Sequence, residues 1–526
     1  MIERRDQLLA EQFGLDQVAD IIDYPFVRDQ VRLLPYAFVK QKLVLPLEER
    51  EGELLIAVAH PGDLEVIEEV RCLTRRKIVE VFCPKTPLER AIEKCYHQKE
   101  KEASDYIEGL KKEEGAACAN QETQGDEYDL LERQEKIPVV QLLNMILTEA
   151  IQQGVSDIHF EPLEKEVAIR YRLDGVLQFR HRPPHELQNQ LMTRIKVMAK
   201  MDIAERRLPQ DGRIKLSMGG RQIDFRVSTV PVIHGERIVL RILDKGNITL
   251  GLDQIGMEEE TRHSFRKYLR QNQGIIFVTG PTGSGKTTTL YSAITEISSR
   301  EVNVMTVEDP VEYKLPGIAQ IGVNPKIGLT FARGLRHILR QDPDIVMIGE
   351  IRDRETAEIA VQSSLTGHLV LSTLHTNDAP SALTRLVDMG VEPYLLSSST
   401  LAVLAQRLVR TICPRCKEGY VPTDEELTEV GLERAALTEE TLYKGRGCDH
   451  CFQSGYRGRS GIYELMSVSQ KIKGQLLKSA DASELQRVAR QDGMLSLREK
   501  GAQLALVGTT TTAEVLRVTR QIELYR

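Results

Sequence analysis

The sequence predicts an α/β protein of several domains, and three observations carry that expectation. At 526 residues the chain is too long for a single hydrophobic core. From about residue 250 the pattern becomes strand, loop, helix, repeated, with short apolar runs in "GIIFVTG", "NVMTVED", "DIVMIGE" and "HLVLSTLH". Such runs, ending in polar or glycine residues, are the mark of buried parallel strands joined by helices. The first of them leads into "GPTGSGKTTTL", a glycine-rich turn that opens a helix.

Composition narrows the class. Apolar residues make up 41% and charged residues 28%, the balance of a soluble globular protein. A net charge of -7, no Trp and 5% aromatics argue against a nucleic-acid translocase, which needs a basic strip with stacking aromatics. No stretch approaches the run of apolar residues that spans a bilayer. The start, "MIERRDQLLAEQ", lacks the apolar segment of a signal peptide, so a cytoplasmic chain is expected.

Residues 1–99 read as a small α/β module. In "GELLIAVAHPGDLEVIEEV" a strand runs to a turn at Pro61-Gly62, and Asp63 caps the helix that follows. "LERAIEKCYHQ" gives a second helical pattern. Residues 100–136 are rich in Glu, Lys, Gln and Gly with few apolar positions, which predicts a flexible linker.

Residues 137–247 read as a mixed α+β domain. Pro138 suits a first helical turn, and Val139, Leu142, Leu143, Ile146, Leu147, Ala150 and Ile151 form one apolar face up to Gly154. "SDIHFEP", "VAIRYRLDGVLQFR" and the two runs flanking Met218-Gly219-Gly220 alternate as strands do. Residues 248–526 hold the parallel-strand pattern, a cysteine-bearing insertion at 408–456 and C-terminal helices.

Gly280, Pro281, Thr282, Gly283, Ser284, Gly285, Lys286, Thr287 and Thr288 satisfy a phosphate-binding loop pattern. The glycines allow backbone N–H groups to curl around phosphate oxygens, Lys286 suits the β and γ phosphates, and the Thr287 hydroxyl suits Mg²⁺. "TVEDPVEY" places Glu308, Asp309 and Glu312 at a strand tip, where carboxylates repel unless a cation sits among them. A solvated acidic loop is the competing reading. In "DPDIVMIGEIRD" four apolar residues precede Gly349 and Glu350, the shape of a strand whose terminal carboxylate supports Mg²⁺. "TGHLVLSTLHTNDA" brackets a strand with His368 and His375, either of them a structural histidine or a group that orients water or senses phosphate.

Of eight cysteines, four fall in "CPRC" (Cys413, Cys416) and "CDHC" (Cys448, Cys451), with 31 residues between the pairs. Two C-x-x-C turns suit a closed tetrahedral zinc site of structural type, with redox pairs or unligated thiols as the alternatives. Cys72, Cys83, Cys95 and Cys118 are irregularly spaced and read as small apolar residues or free thiols.

The four strand-tip motifs in this order, followed by the tetracysteine insertion, resemble the traffic ATPases of type II secretion and type IV pilus assembly. The resemblance covers residues 138–526 and extends to "LPQDGRI" and "DFRVST". It implies a RecA-like P-loop core preceded by a PAS-like α+β domain. The expected activity is ATP hydrolysis with Mg²⁺, with Zn²⁺ as a structural ion. It implies that Glu312 activates water, with Glu308 second, that Glu350 supports the metal, and that Arg213 and Arg226 reach the nucleotide. A homohexamer is expected, driving pseudopilus assembly and protein export, with type IV pilus extension as the alternative. The N-terminal module lacks an R-L-G-type cyclic dinucleotide signature and is expected to dock on a secretion or pilus platform protein. Contact with the inner membrane is then peripheral and made through that partner.

Overall fold

A computed structural model describes residues 14–18, 33–34, 36–50, 53–74, 76–97, 128–129, 138–218, 221–244, 251–437 and 440–520. The chain divides into two compact units, Met1–Gly246 and Asn247–Arg526. The expected linker at 100–136 lies outside the described residues apart from Tyr128–Asp129, and so do residues 1–12 and the Gly219-Gly220 turn.

The first unit holds two sheets. Strands β1 (Asp16–Gln17), β2 (Val44–Arg50), β3 (Glu53–Val58) and β4 (Lys77–Phe82) are ordered β1-β4-β3-β2. Helices Leu64–Thr74 and Lys85–His97 cover a core that includes Leu45, Leu54, Ile56, Val70 and Leu88. The Asp63 carboxylate accepts from Val66 N at 3.3 Å, the cap its position predicts. β2 and β4 carry mixed charged and apolar residues, and the sequence pattern did not single them out as strands.

The second sheet comprises β5 (Tyr128–Asp129), β6 (Asp157–Pro162), β7 (Val167–Leu173), β8 (Val176–His181), β9 (Gln210–Met218), β10 (Arg221–Val232) and β11 (Gly235–Asp244), ordered β5-β9-β10-β11-β6-β7-β8. The helix Pro138–Gln152 lays Leu142, Leu143, Ile146 and Leu147 against Phe160, Tyr171, Phe225 and Leu240. Asp174 (φ 48°) and Gly175 (φ 83°) turn β7 into β8, a two-residue connection that matches the twist of its strands.

In the second unit β12 (Gly274–Thr279), β13 (Val304–Glu308), β14 (Ala319–Gly322), β15 (Ile345–Ile348), β16 (Leu369–Leu374), β17 (Thr400–Ile412) and β20 (Tyr456–Ser467) form one sheet. Between the last two, β18 (Lys417–Tyr420) pairs with β19 (Leu442–Gly445). The large sheet is ordered β14-β13-β15-β16-β12-β17-β20, parallel except for β20, which runs antiparallel to β17. All four strands expected from the apolar runs are present. Both faces of the sheet are buried, one among Phe277, Val346, Val370 and Val403, the other among Ile276, Met347, Leu371 and Leu404. The parallel strands bring their carboxyl ends, and with them the glycine-rich loop, Glu308, Glu350 and His375, to one edge. Among the described residues no helix is long and apolar enough to cross a membrane.

Leu371 is fully buried between β12 and β15. Leu371→Ala is expected to cost about 2–5 kcal/mol in the second unit, through lost burial and the cavity left behind. Chemical denaturation of the full chain checks this through the midpoint of that unit's transition.

Candidate functional site

β12 ends in the glycine-rich loop. Gly280 (φ 151°), Gly283 (φ 79°) and Gly285 (φ 89°) all adopt backbone conformations that side chains disfavour. A Cβ at Gly280 would fall 2.5 Å from the Gln406 carbonyl oxygen, so the loop has no room for a side chain there. The helix Lys286–Ile297 follows, with Gly285 at its N-cap. Pro281, Thr282, Gly283, Thr287 and Thr288 face solvent, whereas Ser284 Oγ is buried with no hydrogen-bond partner. Open backbone, an unsatisfied hydroxyl and a helix N-terminus together form an anion cradle.

Lys286 is only 8% exposed, and its Nζ donates to the carbonyls of Gly280 at 2.6 Å and Pro281 at 3.0 Å. Burial pulls its pKa down to about 8. Glu350 opposes that shift and the Arg407 guanidinium adds to it. The ammonium is thus held by two carbonyl oxygens, neither of which carries a full negative charge.

Glu350, just past β15, lies 2.5 Å from Arg352 Nη2 and 3.3 Å from His375 Nε2. His375 is 47% exposed on its side chain. Burial, then the Lys286 charge, lower its pKa, so it is neutral near pH 7, with Glu350 pulling the other way. Thr376 donates its backbone N–H to Thr279 Oγ1 at 2.9 Å, tying the end of β16 to the end of β12. Lys286, Glu350 and His375 are therefore gathered at one strand edge.

The acids of the second motif separate. Glu308 is 3% exposed and accepts from Tyr291 Oη, from Thr306 Oγ1 at 2.6 Å and from Gln320 Nε2 at 3.0 Å. Three donors occupy its oxygens, which suits a group that fixes the strand tip better than one that takes a proton from water. Asp309 is exposed, and its charge acts on Arg352. Glu312 is half-buried in the loop beyond the cis Asp309–Pro310 bond. His368 departs from the expectation. It stands before β16, so the six-residue strand, roughly 20 Å at 3.3 Å per residue, separates it from the carboxyl edge. Its Nδ1 is 2.9 Å from the Ser363 carbonyl oxygen, a local structural contact.

In the first unit Arg213 and Arg226 face each other across β9 and β10. They line an open groove of about 470 Å³ with Asp211, Ser228 and Arg241. Sequence reasoning missed Arg352, Tyr291, Gln320 and Arg407. Arg352 sits inside "GEIRD" and was within reach of it. Tyr291 lies one residue past the glycine-rich motif in its helix, and Gln320 and Arg407 belong to strands that carry no motif of their own.

The four paired cysteines come together in the β17–β20 insertion, with all four sulfurs within 4.8 Å of one another. Cys413 to Cys448 is 3.9 Å, Cys416 to Cys451 is 3.8 Å and Cys448 to Cys451 is 3.7 Å. A tetrahedron with Zn–S bonds of about 2.3 Å has sulfur–sulfur edges of roughly 3.8 Å, so the spacing fits that ion. Backbone N–H groups of Cys448 and Gly455 point at Cys451 Sγ at 3.2 and 3.3 Å and favour its thiolate.

The type II/IV secretion system protein family matches residues 132–517, and an MshEN domain matches residues 13–102. The chain is 49% identical to type II secretion system protein E of Pseudomonas aeruginosa, over 93% of this chain and 97% of that one. It is 44% identical to the type II secretion system ATPase E of Vibrio cholerae (96% and 100% covered) and 42% identical to the type IV pilus assembly ATPase PilB of Myxococcus xanthus (97% and 89% covered). Among solved structures the DotB ATPase of Legionella pneumophila shares the fold, with a TM-score of 0.54 at 20% identity, covering 76% of this chain and 100% of that one. The strand-edge site and these matches over nearly the whole length lead to one conclusion: the chain belongs to the type II/IV secretion system protein family and is one of its ATPases.

Proposed function

We propose that this ATPase is the motor of type II secretion, coupling ATP turnover to pseudopilus assembly and protein export. The observation that carries the reading is the convergence of Lys286, Glu350 and His375 at the edge where the glycine loop opens. The resemblance of the whole chain to type II secretion E proteins supports the destination of the work.

In this reading the loop from Gly280 to Thr288 holds the phosphates through backbone N–H groups, and Lys286 leaves its two carbonyls to pair with them. Mg²⁺, once bound, neutralises charge on the phosphoryl oxygens, and Thr287 and Glu350 are the residues suited to support it. Glu312 is the proposed water activator, since Glu308 is committed to Tyr291, Thr306 and Gln320. Asp309 contributes negative charge near Arg352. Neutral His375 is placed to orient water or report the terminal phosphoryl group through Glu350. Arg213 and Arg226 offer planar donors suited to phosphoryl charge in an assembled ring. Six copies form that ring, and the N-terminal module docks it to a membrane platform protein. Cys413, Cys416, Cys448 and Cys451 hold a structural zinc that leaves no coordination position for water.

Pilus extension is the second reading, favoured by the PilB relative. A chromosomal Lys286→Ala strain separates the two. Export is expected to stop with piliation intact, and the purified variant is expected to release no phosphate above background. Loss of pili with normal export would transfer the motor to pilus extension.

Nucleotide affinity should depend on pH in a stated direction. Lys286 titrates near 8 in the free protein, and bound phosphates raise that value, so binding takes up a proton above pH 8. Affinity is then flat below pH 8 and falls above it, approaching about tenfold per pH unit, as measured by fluorescent-nucleotide titration. Metal analysis of gently purified protein is expected to give about one zinc per chain, and Cys413→Ser to lose it and lower the melting temperature.

A further inference from the structure

The carboxyl half of β17 carries Gln406 and Arg407, both buried, Arg407 to 5% exposure. Gln406 serves the phosphate loop. Its Oε1 accepts from Thr289 Oγ1 at 2.8 Å in the helix that follows the loop, and its main-chain carbonyl limits Gly280 to a residue without Cβ. Arg407 serves the neighbouring loop. Its Nη2 donates to Asn377 O at 3.0 Å and to Asn377 Oδ1 at 3.1 Å, while Nη1 donates to Gln406 O at 3.2 Å.

Asn377 is two residues beyond His375, and Thr376 between them is anchored to Thr279. Asp378 then caps the helix Ala379–Asp388 through Ser381 N at 2.8 Å. The first N–H of that helix, at Ala379, donates to Glu464 Oε1 at 2.8 Å. Glu464 Oε2 accepts from Leu497 N at 3.2 Å, at the start of the helix Leu497–Leu506. Adjacent residues on one strand therefore grip the two loops that face the phosphates, and a buried carboxylate continues the chain of contacts to a C-terminal helix.

A guanidinium buried against carbonyls and an amide is costly, because none of these partners carries a full negative charge. Burial lowers the Arg407 pKa, and Glu464 and Asp378 only partly offset that. Local hydrophobic packing gains nothing from such a group. What the guanidinium supplies is a rigid plane whose Nη2 meets both oxygens of Asn377 while Nη1 stays on the Gln406 carbonyl, a two-nitrogen span that the single nitrogen of a lysine does not reproduce.

We propose that Arg407 is a positioning residue for ATP hydrolysis, its fork holding the Asn377 loop in register with the phosphate loop so that His375 meets Glu350. The inference rests on the reading of residues 280–288 as the ATP site. It assigns Arg407 to the hydrolytic step and not to nucleotide capture, because its hydrogen bonds are made to the histidine loop and to its own strand.

The test uses the full-length chain with Arg407→Lys, Asn377→Ala, the double variant and Asn377→Asp, each measured for fluorescent-ATP affinity and phosphate release. Both single variants are expected to bind ATP within about threefold of the parent and to lose about tenfold or more in kcat. The double variant is expected to fall no more than about twofold below the worse single, as befits two ends of one contact. Asn377→Asp, which keeps an acceptor for the fork, is expected to recover at least about fivefold over Asn377→Ala. Unchanged kcat in either single variant, losses that multiply in the double, or a loss confined to affinity each overturn the assignment. If Arg407→Lys does not fold, the Asn377→Ala and Asn377→Asp pair decides alone, and absence of rescue overturns it. Lys286→Ala serves as the control. ATP binding retained by that variant would mean that the phosphate-loop reading itself has failed, a result distinct from any outcome at Arg407.

Discussion

A lysine ammonium held in a nearly buried pocket by two backbone carbonyls sets the terms for everything around it. Lys286 has Gly280 and Pro281 as its direct partners, and its environment makes the charged form expensive enough to bring its pKa down to about 8. The groups nearby are arranged as answers to that charge. Glu350 favours it from the end of β15, Arg407 opposes it from β17, and the His375 pKa, lowered first by burial, is pressed further down by the Lys286 charge. Such a balance leaves a cation whose ligands are weak and exchangeable. An anion that arrives at the open glycine backbone meets a site already short of negative charge.

The acids of the second motif show how similar side chains a few positions apart are put to different uses. Glu308 ends β13 inside the protein, and its buried charge is stabilised by a tyrosine, a threonine and a glutamine. Those bonds run to the helix after the phosphate loop and to the edge strand β14, so Glu308 joins three elements at the sheet edge. Asp309, the very next residue, and Glu312, four positions on, are less enclosed. Burial, not residue type, separates the acid that fixes geometry from its less enclosed neighbours.

The cysteine lobe solves a different problem. The segment between β17 and β20 contributes a two-stranded ladder and a seven-residue helix, Asp424–Val430. Around Cys413, Cys416, Cys448 and Cys451 the buried apolar cluster consists of the cysteines themselves. Elements this short bury little surface of their own; Val430 of that helix packs on Ala502 and Leu516, and the four sulfurs stand at the spacing a tetrahedral ion requires.

The sequence by itself determined which chemistry is present and the order of its parts. The glycine pattern at 280–285, the carboxylates after apolar runs and the paired C-x-x-C turns are local signals, each fixed by backbone conformation or donor type within a few residues. Strand identity in the parallel core was legible for the same reason, since strands buried on both faces must be apolar throughout. The tertiary structure decided which of these groups meet. Strand direction placed His375 beside Glu350 and left His368 at the far edge, although both flank the same six residues. Contacts between elements distant in sequence chose Tyr291 and Gln320 as partners for Glu308 and gave Arg407 its hold on Asn377. No periodicity encodes such pairings, because they depend on the order in which strands lie side by side.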